Sequence, residues 1–262
     1  MLTRVLPRLY AALNVGRWLR YPPLERAYLS AFFLYKRYAE DPFAGLAARN
    51  AHFFRGGHIL DVGANAGYTA SVFAKLLDPT FCVYAFEPEP INTGRLRMVA
   101  GRAANRGRIV PVQVAVGERS GSTGLVINPT HPGDHYVDSR ETSGSLRVPL
   151  VSIDDFAEQH ELRDVAFVKI DVQGFELAVS RGMERLIARS PRLSVAFEYS
   201  DETETRFGHG VADLLDFYRE RGFTLHLLAR SPSIQPLTAG ALADWKARHG
   251  YVDILATRQA IA

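Results

Sequence analysis

At 262 residues, 47% apolar and 23% charged, the chain has the make-up of a globular domain with a sizeable core. One cysteine, Cys82, excludes a disulfide framework, and no run of about 18 apolar residues is present to span a bilayer. The net charge of +3 hides a split: residues 1–58 carry nine Arg and Lys against three acids, and residues 59–262 carry 22 against 25, which excludes a basic nucleic-acid groove in the main domain. Arg4, Pro7, Arg8 and Asn14 interrupt any signal-peptide core, so the chain reads as cytoplasmic.

Leu2, Val5, Leu6, Leu9 and Leu13 fall on one helical face, with Arg4 and Arg8 opposite. Pro22-Pro23 breaks this segment and starts a second helix running through Leu29, Phe32 and Phe33 towards Tyr38. Such aromatic, basic helices can lie on a membrane surface, dock a second subunit, or roof a cleft of the main domain. The second helix is apolar nearly all round, which favours packing as a roof. The expected division is a helical extension over residues 1–50 and a main domain over 51–262.

From Ile59 the pattern is regular: strand 59–62, helix 68–77, strand 81–86, helix 90–104, strand 109–116. A Gly/Pro-rich excursion follows, with short strands at 125–127 and 146–150 around the loop 128–145. Helix 154–160, capped by Ser152, resumes the alternation. Strand 165–170, helix 175–189, strand 193–198, helix 211–221, strand 223–228, a short helix near 241–247 and strand 251–257 complete it. Strands separated by helices predict a parallel, doubly wound sheet, with ligands at the carboxyl ends of its strands.

The first strand ends in Asp61-Val62-Gly63-Ala64-Asn65-Ala66-Gly67-Tyr68-Thr69. Gly63 and Gly67 let the backbone turn sharply and approach a ligand, with amides of the following turn free to bind it. Glu87, before Pro88, closes the second strand where a doubly wound sheet hydrogen-bonds a ribose diol. The loop is D-x-G-x-x-x-G, not the dinucleotide G-x-G-x-x-G. Asp61 at its mouth repels a pyrophosphate and suits a cationic ligand, which favours S-adenosylmethionine over NAD.

Asp61–Thr69, Phe86-Glu87-Pro88, Val114-Ala115-Val116-Gly117 and Lys169-Ile170-Asp171-Val172-Gln173-Gly174-Phe175-Glu176 together resemble the FkbM-type S-adenosylmethionine-dependent methyltransferases, over about residues 59–198. The resemblance implies a Rossmann-like class I methyltransferase fold, α/β, with a seven-stranded, mostly parallel sheet, helices on both faces, and here the helical extension. It implies methyl transfer, mostly to oxygen, on sugars, glycans or secondary metabolites. Asp61, Gly63, Ala64, Asn65, Gly67, Tyr68, Thr69, Glu87, Pro88 and Ala115 are the expected cofactor positions.

Asp171 ends the fourth main strand and can orient the cofactor amine, take the acceptor's proton or bind a metal. Glu198, ending the next strand, makes an acidic pair with it; the two can hold Mg²⁺, although a metal-free site polar to a sugar is the favoured reading. His135, in the loop, is a candidate base. Glu176 is as readily a first-turn structural acid as a functional one. Two rivals stay open: an NAD-dependent oxidoreductase, and a non-catalytic nucleotide-binding module docking a partner through residues 1–45. The expected partners are a small-molecule or carbohydrate acceptor, and a second copy or a membrane surface at the N-terminal helices; nucleic acid is not expected.

Overall fold

The structure, a computed structural model, describes residues 21–128, 135–138, 144–200, 210–228, 234–249 and 251–261. The expected helix near residues 2–13, most of the 128–145 loop, including His131, and residues 201–209 lie outside them.

Helix α1 (Pro22–Tyr35) starts at the two prolines and widens into a π-helical turn, Lys36–Glu40. Asp41 Oδ1 accepts the Phe43 and Ala44 amides at 2.8 and 3.3 Å, so an Asp cap opens α2 (Phe43–Arg49). A 3₁₀ turn, Ala51–Phe54, leads into β1 (His58–Val62). Then come α3 (Tyr68–Phe73), β2 (Val83–Phe86), α4 (Pro90–Ala100) and β3 (Ile109–Val112).

The excursion contains β4 (Ala115–Val116), β5 (Gly121–Val126), β6 (Tyr136–Asp138) and β7 (Leu146–Val151). After it, Ser152 Oγ accepts the Asp155 amide at 3.1 Å and caps α5 (Ile153–Gln159), as expected. Next are β8 (Val165–Ile170), α6 (Glu176–Arg181), α7 (Glu184–Arg189), β9 (Ser194–Ser200) and α8 (Val211–Glu220). The last elements are β10 (Thr224–Leu228), β11 (Ile234–Pro236), α9 (Ala239–His249) and β12 (Tyr251–Thr257).

The main sheet runs β11-β10-β12-β9-β8-β1-β2-β3. β3, β2, β1, β8 and β9 are mutually parallel, and β12 returns antiparallel between β9 and β10. The seven strands in the order 3-2-1-4-5-7-6 are the expected Rossmann-like sheet. Three-residue β11 adds an eighth, antiparallel edge strand to the described sheet, in a stretch read from sequence as a Pro-containing loop.

Two other expectations change. The strand at 109–116 is cut at Gln113 and Val114, because β4 leaves the main sheet and pairs with β7 in a second sheet, β4-β7-β5-β6. The helix at 175–189 is broken at Gly182-Met183. A β-carbon on Gly182 would lie 2.0 Å from the Gly117 carbonyl oxygen, and the Gly182 carbonyl turns out to accept the Asp154 amide at 2.9 Å.

Apolar side chains fill both faces of the main sheet. Phe43, Phe54, Phe73 and Phe167 form an aromatic cluster on one side. Phe43 and Phe54 precede β1, so Phe43, assigned from sequence to the helical extension, supplies core to the main domain. Their burial ties the extension to the sheet by the hydrophobic term that holds the sheet itself together.

Candidate active site

The strand order reverses between β1 and β8, and a cavity of about 310 Å³ opens at the carboxyl ends of the strands there. The β1–α3 loop forms its floor. Gly63 has φ +76°, and a β-carbon on it would lie 1.8 Å from the Asp171 carbonyl oxygen; only glycine permits that approach. Asn65 also lies in the left-handed region, at φ +48°.

The amides of the loop itself, from Gly63 to Gly67, are already used. Gly63 and Ala64 donate to the Phe86 carbonyl, Asn65 to Glu87 Oε2 at 2.9 Å, Ala66 to the Asn65 side chain, and Gly67 to Ala64. The loop itself therefore offers shape rather than free donors.

Glu87 is buried at 5% exposure, and its Oε1 also accepts the Glu89 amide at 2.9 Å. Burial pushes its pKa up to about 7, against the two amide bonds that favour its charge. Each oxygen uses one acceptor site, which leaves acceptor capacity on both for the two hydroxyls of a ribose. Ala64, Asn65, Tyr68, Thr69, Pro88 and Ala115 all line the cavity with Gly63 and Glu87. Gly67 turns the chain behind the lining, where a β-carbon would meet Leu96 at 2.7 Å.

Asp61 is not at the mouth. It is fully buried and lies outside the lining, with the Lys169 ammonium 3.5 Å away and the Ala70 amide also favouring its charge. Burial holds its pKa above the usual carboxylate range. Any charge from Asp61 reaches the cavity through Lys169, which also donates to the Gly63 carbonyl at 3.0 Å and pairs with Asp171 at 3.2 Å.

The Lys-Ile-Asp-Val-Gln-Gly-x-Glu block thus has a physical account. Lys169 binds two loops together, and Asp171 enters the cavity with Oδ1 accepting from Gln173 at 3.0 Å. Gln173 and Gly174 take φ +55° and +109°. Glu176 Oε1 accepts the Val172 and Gly174 amides at 3.2 and 3.1 Å, so its place is as a brace beneath the loop.

Beyond Asp171 the cavity is ringed by Glu198, Asp253, Tyr251, Lys36 and His135. Ile170 pairs with Phe197 across β8 and β9, so the next residues, Asp171 just past β8 and Glu198 within β9, lie side by side; β9 runs on to Ser200, beyond the end expected at Glu198, and Glu198 pairs in register with Asp253 on β12. Burial opposes the charge of Asp171, but Lys169 and Lys36 outweigh it and hold its pKa below the usual range. Burial, then Asp171 and Asp253, push Glu198 well above it. Two neighbouring carboxyls are driven apart, the pattern that separates acid and base roles. Among the described residues, no group of three or more His, Cys, Asp or Glu is placed to hold a metal.

His135 lines the cavity, but its Nδ1 accepts the Asn128 amide at 3.0 Å. The neutral ring then carries its proton on Nε2, which suits a hydrogen-bond donor better than a base.

Sequence reasoning expected the second helix as a roof but singled out neither Lys36, Phe32 nor Asp41 as lining residues, and it missed Asp253. The first three belong to the N-terminal segment, which roofs the cavity: Tyr68 donates to Asp41 Oδ2 at 2.8 Å, and Phe33 packs edge-on against the Tyr68 ring. Asp253 sits near the start of β12, which points at the site only because that strand is reversed; strand-end reasoning passes over it.

A doubly wound sheet with a carboxylate after its second strand and a cavity at the topological switch point defines a nucleoside-cofactor-binding α/β domain. The methyltransferase FkbM domain model matches residues 61–225, more than half of the chain, and the protein belongs to that family. The chain is 33% identical over 124 residues to the hexuronic acid methyltransferase AglP of Haloferax volcanii. That match covers 47% of this chain and 48% of the relative, so it spans about half the length of the curated protein. Among solved structures, the FkbM methyltransferase of Methylobacillus flagellatus overlaps at TM-score 0.45 and 18% identity, over 86% of this chain and 52% of that one. Aeropyrum pernix fibrillarin with natively bound S-adenosyl-L-methionine overlaps at 0.44 and 15%, over 82% and 74%. At these scores the fold rests on the strand order itself.

Proposed function

We propose that the protein transfers a methyl group from S-adenosylmethionine to a hydroxyl oxygen of a carbohydrate acceptor. The observation that carries this is one cavity with two chemically different ends: a diol-binding carboxyl, Glu87, at one, and the oppositely poised carboxyls Asp171 and Glu198 at the other. The family supports methyl transfer, and the hexuronic acid methyltransferase relative supports a sugar acceptor.

When bound, the cofactor supplies an electrophilic methyl and a neutral thioether leaving group. The chain's residues do the rest. Glu87 holds the ribose, and the tight Gly63–Asp171 contact shapes the floor. Asp171, kept ionised by Lys169 and Lys36, would hold the cationic part of the cofactor. Glu198, whose raised pKa makes its carboxylate a stronger base than an ordinary glutamate, receives the acceptor's hydroxyl proton. His135 lines the wall of the cavity beside them. Positioning of this kind supplies about 7–11 kcal/mol of barrier reduction when geometry is right.

The test is calorimetric titration with S-adenosylmethionine, S-adenosylhomocysteine and NAD, with and without Mg²⁺, followed by methyl-transfer assays on a panel of neutral and acidic sugars. Binding of both S-adenosyl compounds with silent NAD, and turnover on a sugar hydroxyl, is expected. Binding of NAD alone would hand the site to the oxidoreductase alternative, and binding without transfer to any acceptor would favour a docking module.

A further inference from the structure

Helix α1 has two unlike faces. Inward, Tyr28 and Leu29 are buried, Phe32 and Lys36 line the cavity, and Glu25 pairs with Arg95 at 3.1 Å. Outward, Leu24, Ala27, Ala31, Leu34 and Tyr38 recur at spacings of three and four, and all are exposed: Leu24 by 43%, Leu34 by 63% and Tyr38 by 69%. A helix with one apolar face against its own core presents a polar face to water. Here the outer face is apolar too.

The flank of this stripe is basic. Arg26 and Arg37, eleven residues apart, fall on the side next to Phe33, and Arg102 stacks its guanidinium on the Phe33 ring at 5.3 Å. All three arginines are exposed. Two acids of this segment are turned inward: Glu25 to Arg95, and Asp41 to Tyr68 and the α2 amides. Among the described side chains, the outward face of α1 holds no acid. Residues 1–20, which lead directly into this helix, add Arg4, Arg8, Arg17 and Arg20 and no acid.

We propose that the outer face of α1 docks on an anionic lipid bilayer, with Leu24, Leu34 and Tyr38 entering the interface and Arg26, Arg37 and Arg102 meeting the headgroups. An exposed apolar stripe beside clustered arginines is the make-up of an interfacial helix, which needs both apolar burial and charge attraction. A protein partner would need the stripe alone; the flank of exposed arginines, Arg26, Arg37 and Arg102, is what selects an anionic surface. Because the inner face of the same helix roofs the cavity, docking places the active site beside the membrane.

The test is sedimentation of the full chain with vesicles of phosphatidylcholine, with and without phosphatidylglycerol, at low and high salt. Two variants accompany it: Leu34→Asp with Tyr38→Asp, and Arg26→Glu with Arg37→Glu. All altered positions are exposed, and unchanged thermal melting and S-adenosylhomocysteine binding serve as fold controls. The expected result is salt-sensitive binding to the anionic vesicles only, weakened roughly tenfold or more in each variant. No pelleting, equal pelleting of wild type and both variants, or equal binding to neutral vesicles overturns the proposal. So does a dimeric wild type that Leu34→Asp with Tyr38→Asp converts to a monomer, since a second copy would then own this face.

Discussion

Gly63 and Asp171 meet backbone to backbone: a β-carbon on Gly63 would stand 1.8 Å from the Asp171 carbonyl oxygen. Lys169, donating to the Gly63 carbonyl and pairing with Asp171, locks the same two loops from the side. The cofactor loop and the Asp171 loop are therefore one mechanical unit. Gly63→Ala faces both the clash and a positive φ, and should cost about 3 kcal/mol or more. Gly94, within α4 with nothing near its missing β-carbon, is the control. Gly94→Ala should be neutral or stabilise by up to about 1 kcal/mol. Urea unfolding of both variants checks this, and equal stabilities would refute the tight contact.

Lys169→Met should destabilise by about 3–5 kcal/mol, because it leaves Asp61 and Asp171 without the cation they share. Adding Asp61→Asn removes one of the two stranded carboxyls and should recover part of the loss. If the double variant is no more stable than Lys169→Met, Asp61 is not held by that ammonium.

Glu87, at about 7, must be ionised to accept two ribose hydroxyls. Cofactor affinity should therefore rise about tenfold from pH 6 to pH 8. In Glu87→Gln it should be weaker and level across that range. A calorimetric series over pH reads both, and a wild-type affinity independent of pH argues against the ribose role.

Glu176 has a folded pKa of about 7 against 4.5 unfolded. Its contribution is fully present below pH 4.5 and is lost as pH rises through 7, since the folded state holds the proton longer. Unfolding free energy of wild type should thus fall relative to Glu176→Gln across that window. Parallel curves for the two proteins would show that the brace does not titrate there.

Asp171→Asn and Glu198→Gln should both cut turnover on an acceptor, but in different ways. Loss of a base at Glu198 should remove the limb of the kcat profile that rises with pH above the ordinary carboxylate range. Loss of Asp171 should leave that limb in place and weaken cofactor binding. A Glu198→Gln enzyme that keeps the limb assigns the proton to another group.

Much of this was legible in the sequence because it is local. Strand and helix periods, the Ser152 cap and the glycines at 63 and 67 follow from near neighbours, and β8 and β12 fall where alternation of apolar runs places them. Glu87, Asp171 and Glu198 were found because residues at or near the carboxyl ends of parallel strands lie at the ligand side of the sheet. What failed was non-local. Asp61 looks exposed at a loop mouth until Lys169, 108 residues later, is seen to cover it. The Gly63, Ala64 and Asn65 amides are taken up by Phe86 and Glu87 of the next strand and its end, 22 or more residues later.

By itself, the sequence determined the element order, the doubly wound sheet and the acids at its strand ends, since each follows from short-range pattern and connection rules. Only the tertiary structure decided which of those acids carry charge, because burial and the placing of Lys169 and Lys36 set that balance. It also decided that a reversed strand brings Asp253 to the site, and that an N-terminal helix has one face on the cavity and the other open to the surroundings. Charge state and exposure depend on what packs nearby in space, which chain order does not record.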